Sequence, residues 1–141
     1  MLTVPEAIIH AMVLVSGSDR DMTDIELRHI GRLVKELPAF ASFDVDRLPD
    51  TARECAVVLQ LENGLDRCLD LITQALPPRL RETAYLLACE LAAIDRKVEI
   101  EEAGLLRRLR QALEIPGLEA AALERATIAR LAAAPEAATG A

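Results

Sequence analysis

The chain has 141 residues, a formal net charge of −7 at pH 7, and a composition that is 52% hydrophobic but only 2% aromatic, without Trp. A chain of this length forms one domain that buries roughly two thirds of the surface its unfolded form exposes. The acidic charge argues against general nucleic-acid binding, because phosphate backbones repel such a surface. Its apolar residues are mostly Leu, Ala, Ile and Val, which favours helices over sheets when aromatic residues are few. We therefore expect an all-α domain.

The first helix is predicted from Thr3 to about Ser16. Thr3 and Glu6 form a Thr-x-x-Glu capping box, in which each side chain accepts a hydrogen bond from the backbone N–H of the other residue. Between Ala7 and Val15 only His10 is polar, so this helix must be buried on most sides. We expect His10 to be a hydrogen-bonded core histidine. No basic segment precedes the apolar stretch, so we do not interpret it as a signal peptide.

The next three helices are separated by turn residues. The second helix is predicted over about residues 24–37, and Pro38 ends it. Its apolar stripe consists of Ile30, Leu33, Val34 and Leu37. The third and fourth helices are predicted over about residues 49–62 and 65–76, with Asn63-Gly64 as a left-handed stop between them.

Three further helices complete the domain, over about residues 79–94, 100–113 and 118–131. No segment alternates between apolar and polar residues for long enough to predict a strand, so the expected fold is a bundle of about seven helices. Between Ala84 and Ile94 only Glu90 is polar. Glu90 lies either at the wet edge of its helix or in a site, and both interpretations stay open.

Cysteine usage and hydropathy bear on the compartment. The three cysteines form no Cys-x-x-Cys pair and lie in helical patterns, so we interpret them as buried apolar residues in a reducing compartment. They are Cys55, Cys68 and Cys89. No apolar run approaches the roughly 20 residues that a membrane-spanning helix needs. We expect a cytoplasmic protein whose residues 1–134 form the domain and whose residues 135–141 form a disordered tail.

One stretch of the sequence occurs twice. Asp19-Arg20-Asp21-Met22-Thr23-Asp24-Ile25-Glu26 returns 76 residues later as Asp95-Arg96-Lys97-Val98-Glu99-Ile100-Glu101-Glu102. The same offset pairs Glu6 with Glu82, Arg32 with Arg108, Leu33 with Leu109 and Leu37 with Leu113. The match predicts a duplicated helix–loop–helix hairpin with an approximate internal twofold, in which the first and fifth helices are the central pair.

The repeated acids are candidate cation ligands. Glu26 lies four residues before Ile30, so it extends the buried stripe toward Asp19, and Glu102 has the same relation to Asp95. Hard divalent cations need several carboxylate and carbonyl oxygens close together, and these residues supply either two clusters or one shared cluster. The alternative is purely structural, because Thr23-x-x-Glu26 is itself a capping box.

Several sharper motifs are absent from the sequence. An EF-hand needs Gly at loop position six and Glu at position twelve, but counting from Asp19 these positions hold Asp24 and Ile30. The Glu-x-x-His spacing of di-iron bundles occurs at Glu26, but its repeat has Leu105 in place of the histidine. We find no nucleophile pattern and no glycine-rich phosphate loop. We therefore do not expect an enzyme, and one that uses carboxylates at the pseudo-twofold is the least favoured of the three functions considered.

At the repeated loops the sequence resembles the tellurite-resistance TerB family. That family's pattern is an apolar helix ending in Ala-Asp-Gly, an apolar residue two further on and a Glu four beyond that, once in each half. Here it reads Ser18-Asp19-Arg20-Asp21-Met22 with Glu26, then Ile94-Asp95-Arg96-Lys97-Val98 with Glu102. The resemblance covers about residues 5–130. It implies a compact all-α bundle with internal pseudo-symmetry and a role in bacterial stress resistance with protein partners rather than in catalysis.

The resemblance also implies a cofactor, a divalent cation such as calcium, magnesium or manganese. The ligands that it implies are Asp19, Glu26, Asp95 and Glu102. The chain departs from the family at Arg20 and Arg96, which stand where the family has Gly and bring positive charge beside the aspartates. The alternative function is therefore a metal-free helical adaptor whose groove binds a partner protein.

Overall fold

The structure is a computed structural model that describes residues 1–16, 23–94 and 100–135, without the side chains of residues 100–102. These residues form seven α-helices and no strand, which confirms the expected all-α class. The helices are α1 (Val4–Ser16), α2 (Asp24–Glu36), α3 (Leu48–Gln60), α4 (Gly64–Ala75), α5 (Pro78–Ala93), α6 (Ile100–Ala112) and α7 (Gly117–Leu131). Two 3₁₀ turns, Pro38–Phe40 and Val45–Arg47, connect α2 to α3.

Helices α1 and α5 form the centre of the bundle, as their sequences predict. Every residue from Ala7 to Val15 is buried, and so is every residue from Ala84 to Ala92 except the half-buried Leu86. The two helices pack against each other, and α3, α4 and α6 also pack on α1. Because each helix is apolar on almost all sides, neither leaves a polar face that water would cover. The duplication of the hairpins stays a prediction.

Two arginine contacts show which helix ends lie together. Arg81 at the start of α5 donates from Nη1 to the carbonyl oxygen of Leu113, just past the end of α6, at 3.3 Å. Arg47 follows α2 in the chain, and its Nη2 lies 3.6 Å from Oε2 of Glu6 in the first turn of α1. The end of α6 therefore lies beside the start of α5, so these two helices run antiparallel, and the start of α3 lies beside the start of α1.

The junction between α3 and α4 differs from the prediction. Asn63 is left-handed, with φ of 56°, but it precedes the first residue of α4 and does not end α3. Helix α3 ends earlier, at Gln60, because Leu61 is extended. Gly64 begins α4, and a Cβ there would overlap the carbonyl oxygen of Leu59. The other helix ends agree with the predicted bounds to within one residue, which is inside the usual uncertainty at helix termini.

Helix α7 lies on the outside of the bundle and packs mainly on α5. Only Ala120 and Thr127 of this helix are buried. All three cysteines of the chain are free and buried, as expected. Within the described residues, no helix combines the length and apolarity needed to span a bilayer.

Candidate functional site

Glu26 lies at the start of α2 and forms the predicted capping box. Its side chain is buried, with the residue 7% exposed. Oε1 accepts a hydrogen bond from the Thr23 hydroxyl at 2.8 Å and from the Thr23 backbone N–H at 3.2 Å. The Thr23 hydroxyl in turn accepts the Glu26 backbone N–H at 3.2 Å. These bonds satisfy backbone groups that a helix start leaves unpaired, so the structural role of Glu26 is confirmed.

The other three predicted cation ligands lie outside the described residues. Asp19 belongs to residues 17–22 and Asp95 to residues 95–99, and the side chain of Glu102 is likewise not described. Among the side chains that the structure does describe, no three of the His, Cys, Asp and Glu residues are close enough together to hold a metal ion. Cation binding by the four acids therefore stays a prediction.

Glu90 is a buried carboxylate with two partners. Its side chain is 3% exposed. Oε2 lies 2.5 Å from Nε2 of His29 on α2, and Oε1 accepts a hydrogen bond from Nε of Arg130 on α7 at 2.9 Å. A buried carboxylate costs free energy unless it is paired and hydrogen-bonded. Glu90 therefore does not lie at a wet edge of α5, and it joins three helices.

The hydrogen-bond partners of His29 assign its tautomer. Nδ1 of His29 lies 3.3 Å from Nη2 of Arg32. A guanidinium only donates, so Nδ1 is the accepting nitrogen and Nε2–H is the donor to Glu90. The guanidinium of Arg130 lies beside the other oxygen of the Glu90 carboxylate.

Sequence reasoning singled out Glu90 but missed both of its partners. One feature of the sequence does indicate that Glu90 has partners. It is the solitary acid on an otherwise apolar helix, and a buried acid needs a hydrogen-bond donor. Arg130 and His29 lie 40 and 61 residues away along the chain. No local spacing identifies which His or Arg fills the role.

The His29–Glu90 contact also fixes the relative position of the two hairpins. His29 lies in the first half of α2, and Glu90 lies in the last turns of α5. Since α5 and α6 run antiparallel, the start of α2, the end of α5 and the start of α6 lie at one end of the bundle. The described fold thus resumes after residues 17–22 at the same end at which residues 95–99 leave and rejoin it.

His10 is the hydrogen-bonded core histidine that the sequence predicts. Its Nδ1 lies 2.8 Å from the carbonyl oxygen of Glu6, one turn earlier in α1, so this nitrogen donates. Burial lowers the pKa of His10 below its ordinary value, because the imidazolium would be poorly solvated there. His10 is therefore a neutral structural residue at pH 7.

A groove lies at the C-terminal end of α2, where the 3₁₀ turns follow. It has a volume of about 470 Å³ and contains both phenylalanines of the chain, Phe40 and Phe43. Its other apolar lining includes Val34, Leu37 and Val45. Its lining also includes three charged residues, Lys35, Glu36 and Asp44.

No protein-family model, curated protein or solved structure matches the chain.

Proposed function

We propose that the protein is a non-catalytic, TerB-like stress-resistance protein of the bacterial cytoplasm that binds a divalent cation. The proposed ligands are Asp19, Glu26, Asp95 and Glu102, and the proposed ions are calcium, magnesium and manganese. The observation that supports a single shared site is the position of the helix ends that flank the two acidic segments. The start of α2 and the two helix ends beside residues 95–99 lie at one end of the bundle, because His29 contacts Glu90 and α5 and α6 run antiparallel.

The environment of Glu26 is suited to a ligand. The capping box holds the carboxylate through Oε1, so the side chain has lost most of its rotational freedom before any ion binds. A ligand that is already held in place costs less free energy to order on binding. Both bonds that the Glu26 carboxylate accepts from Thr23 end on Oε1. The capping role is therefore compatible with the proposed ligand role, in which Oε2 contacts the ion.

Charge favours the same function. Four carboxylates near one another repel in the absence of an ion, and a divalent cation relieves that repulsion. The protein carries a net charge of −7, which attracts cations to its surface and repels nucleic acid. We also propose a protein partner, in keeping with the resemblance to the TerB family.

Thermal unfolding with added ions tests the proposal. An ion that binds only the folded protein stabilises it by about 2.7 kcal/mol at a hundredfold excess over its dissociation constant. Millimolar calcium, magnesium or manganese is expected to raise the melting temperature at matched ionic strength. The double variant Glu26→Gln, Glu102→Gln is expected to show no rise in melting temperature. The matched control replaces Glu62→Gln and Asp70→Asn, two exposed acids elsewhere, and is expected to keep it.

A metal-free adaptor is the second candidate function, and the groove at the end of α2 favours it. In that case Arg20 and Arg96 neutralise the aspartates, and the melting temperature is unchanged by all three ions. The groove is then expected to bind an apolar probe such as anilinonaphthalene sulfonate. Phe43→Ser is expected to reduce the bound fluorescence, whereas Val57→Ser, at an exposed position on α3, is expected to leave it unchanged.

A further inference from the structure

Two of the three cysteines meet in the core. Cys55 on α3 and Cys68 on α4 are both fully buried, and their Sγ atoms are 3.8 Å apart. The Cys55 thiol also lies 3.7 Å from the carbonyl oxygen of His10 on α1, to which it donates. Cys89 is on α5, where its neighbour is Tyr85. The chain therefore holds one thiol pair and one separate thiol.

The separation of the paired thiols is close to that of a disulfide. An S–S bond is about 2.05 Å long, so the two sulfur atoms need to approach by about 1.8 Å. Rotation of two side chains about their Cα–Cβ bonds moves sulfur atoms by distances of this size. We propose that Cys55 and Cys68 are the site of a reversible intramolecular disulfide that ties α3 to α4.

A peroxide is the oxidant class that this step requires. One thiolate attacks the O–O bond of hydrogen peroxide, which yields a sulfenic acid and releases hydroxide. The second sulfur then attacks the sulfenic sulfur, the S–S bond forms, and the hydroxyl leaves as water after taking up a proton. In sum, two thiols and one hydrogen peroxide give one disulfide and two waters, and the sulfur atoms lose two electrons to the peroxide. A dithiol such as dithiothreitol reverses the bond.

Burial controls the rate of this step. The hydrogen bond with Cys68, together with desolvation, raises the pKa of the Cys55 thiol far above its ordinary value. The thiolate is the reactive form, so oxidation proceeds through transient opening of the α3–α4 hairpin and is slow. Once formed, the bond closes a short loop and restricts the unfolded chain, which stabilises the folded protein.

Peptide mapping of the oxidised protein tests the proposal. The folded chain is treated with hydrogen peroxide, then unfolded in the presence of an alkylating reagent that blocks the remaining thiols, and digested with trypsin. Trypsin cleaves after Arg67, between the two cysteines, so they fall in peptides 54–67 and 68–79. We expect these two peptides to be joined, with a combined mass lower by two hydrogen atoms. Cys89 is expected to be alkylated, and the oxidised protein is expected to melt about 5–10 °C higher.

Variants and an unfolded control complete the test. Cys89→Ala is expected to form the same bond at the same rate, whereas Cys68→Ala is expected to form none. In urea all three pairings are expected, which shows that the assay detects each of them. The proposal is overturned if the folded protein gives no joined peptides, if Cys89 takes part in its disulfides, or if the oxidised form melts no higher than the reduced one. The mapping uses the wild-type chain, so a variant that fails to fold does not affect it.

Discussion

The carboxylate of Glu90 and the imidazole of His29 meet in the core, Oε2 to Nε2, at 2.5 Å, although 61 residues separate them in the chain. This contact is the polar link between α2 and α5, and Arg130 extends it to α7. A hydrogen-bonded carboxylate that is almost fully desolvated contributes most when both oxygens keep their donors. The contact therefore sets the relative position of the two hairpins. Their other contacts with each other are mostly apolar.

Glu90→Gln is expected to destabilise the fold by about 1–3 kcal/mol. Glutamine keeps the shape but has one carbonyl oxygen, so its NH₂ group faces the donor of either His29 or Arg130. We place the cost below that of breaking a wholly buried ion pair, because the Arg130 side chain is 65% exposed and regains water. Urea unfolding measures the change.

A surface ion pair provides the control for that prediction. Arg53 and Asp50 form an exposed pair on α3 at 3.2 Å. Arg53→Gln removes it and is expected to change the free energy of unfolding by no more than about 0.5 kcal/mol. Equal losses for Glu90→Gln and Arg53→Gln would contradict the assigned role of the buried contact.

Two glycines are expected to respond in opposite directions to replacement by alanine. At Gly64 a Cβ would overlap the carbonyl oxygens of Val58 and Leu59, so Gly64→Ala is expected to cost about 1–3 kcal/mol. At Gly104, within α6, a Cβ meets nothing within 4 Å. Gly104→Ala is expected to stabilise the protein by about 0.5–1 kcal/mol, because glycine is a poor helix former. Thermal unfolding of both variants checks the pair, and equal signs would disprove it.

Leu33→Ala and Leu109→Ala are each expected to cost about 2–5 kcal/mol. Both side chains are buried, one in the stripe of α2 and the other in that of α6. Chemical denaturation gives the two values. A loss below about 1 kcal/mol at either position would show that the site collapses around the smaller side chain or that the stripe faces solvent.

Stability is expected to fall on acidification in two steps. The pKa of His10 is lowered from 6.5 by burial, so as the pH falls through 6.5 the unfolded chain takes up a proton that the folded chain refuses. The pKa of Glu6 is lowered from 4.5, chiefly by its hydrogen bond from the Thr3 backbone, so its contribution is present above pH 4.5 and lost below it.

Melting temperatures between pH 7 and pH 4 measure these steps. His10→Asn keeps a donor near the Glu6 carbonyl but does not titrate, so the variant is expected to lose the step that begins as the pH falls through 6.5. It keeps the lower step. A wild-type melting temperature that stays constant from pH 7 to pH 5 would contradict the role of His10.

Local features of the fold followed from sequence, and long-range ones did not. The capping box of Thr23 and Glu26 depends on residues three apart, and the burial of α1 depends on an unbroken apolar stretch, so both were predictable. The left-handed residue between α3 and α4 was placed correctly at Asn63-Gly64 but assigned to the wrong helix. Its role depends on where α3 ends, which the extended Leu61 decides.

The same distinction between local and long-range features applies to the candidate site. Sequence identified the solitary Glu90, but its pairing with His29 and Arg130 depends on how α2 and α7 pack on α5. The contact between Cys55 and Cys68 likewise depends on how α3 and α4 pack together. No Cys-x-x-Cys spacing in the sequence indicates it. For Asp19 and Asp95 the repeat is the sole signal.

Calorimetric titration of divalent ions tests the central claim most directly. Calcium, magnesium and manganese are each titrated into the wild-type chain and into the Glu26→Gln, Glu102→Gln double variant at constant ionic strength. The proposed function predicts a saturable heat for at least one ion with the wild type and none with the double variant. The absence of saturable binding for all three ions to a folded wild-type chain would contradict it and favour the metal-free adaptor.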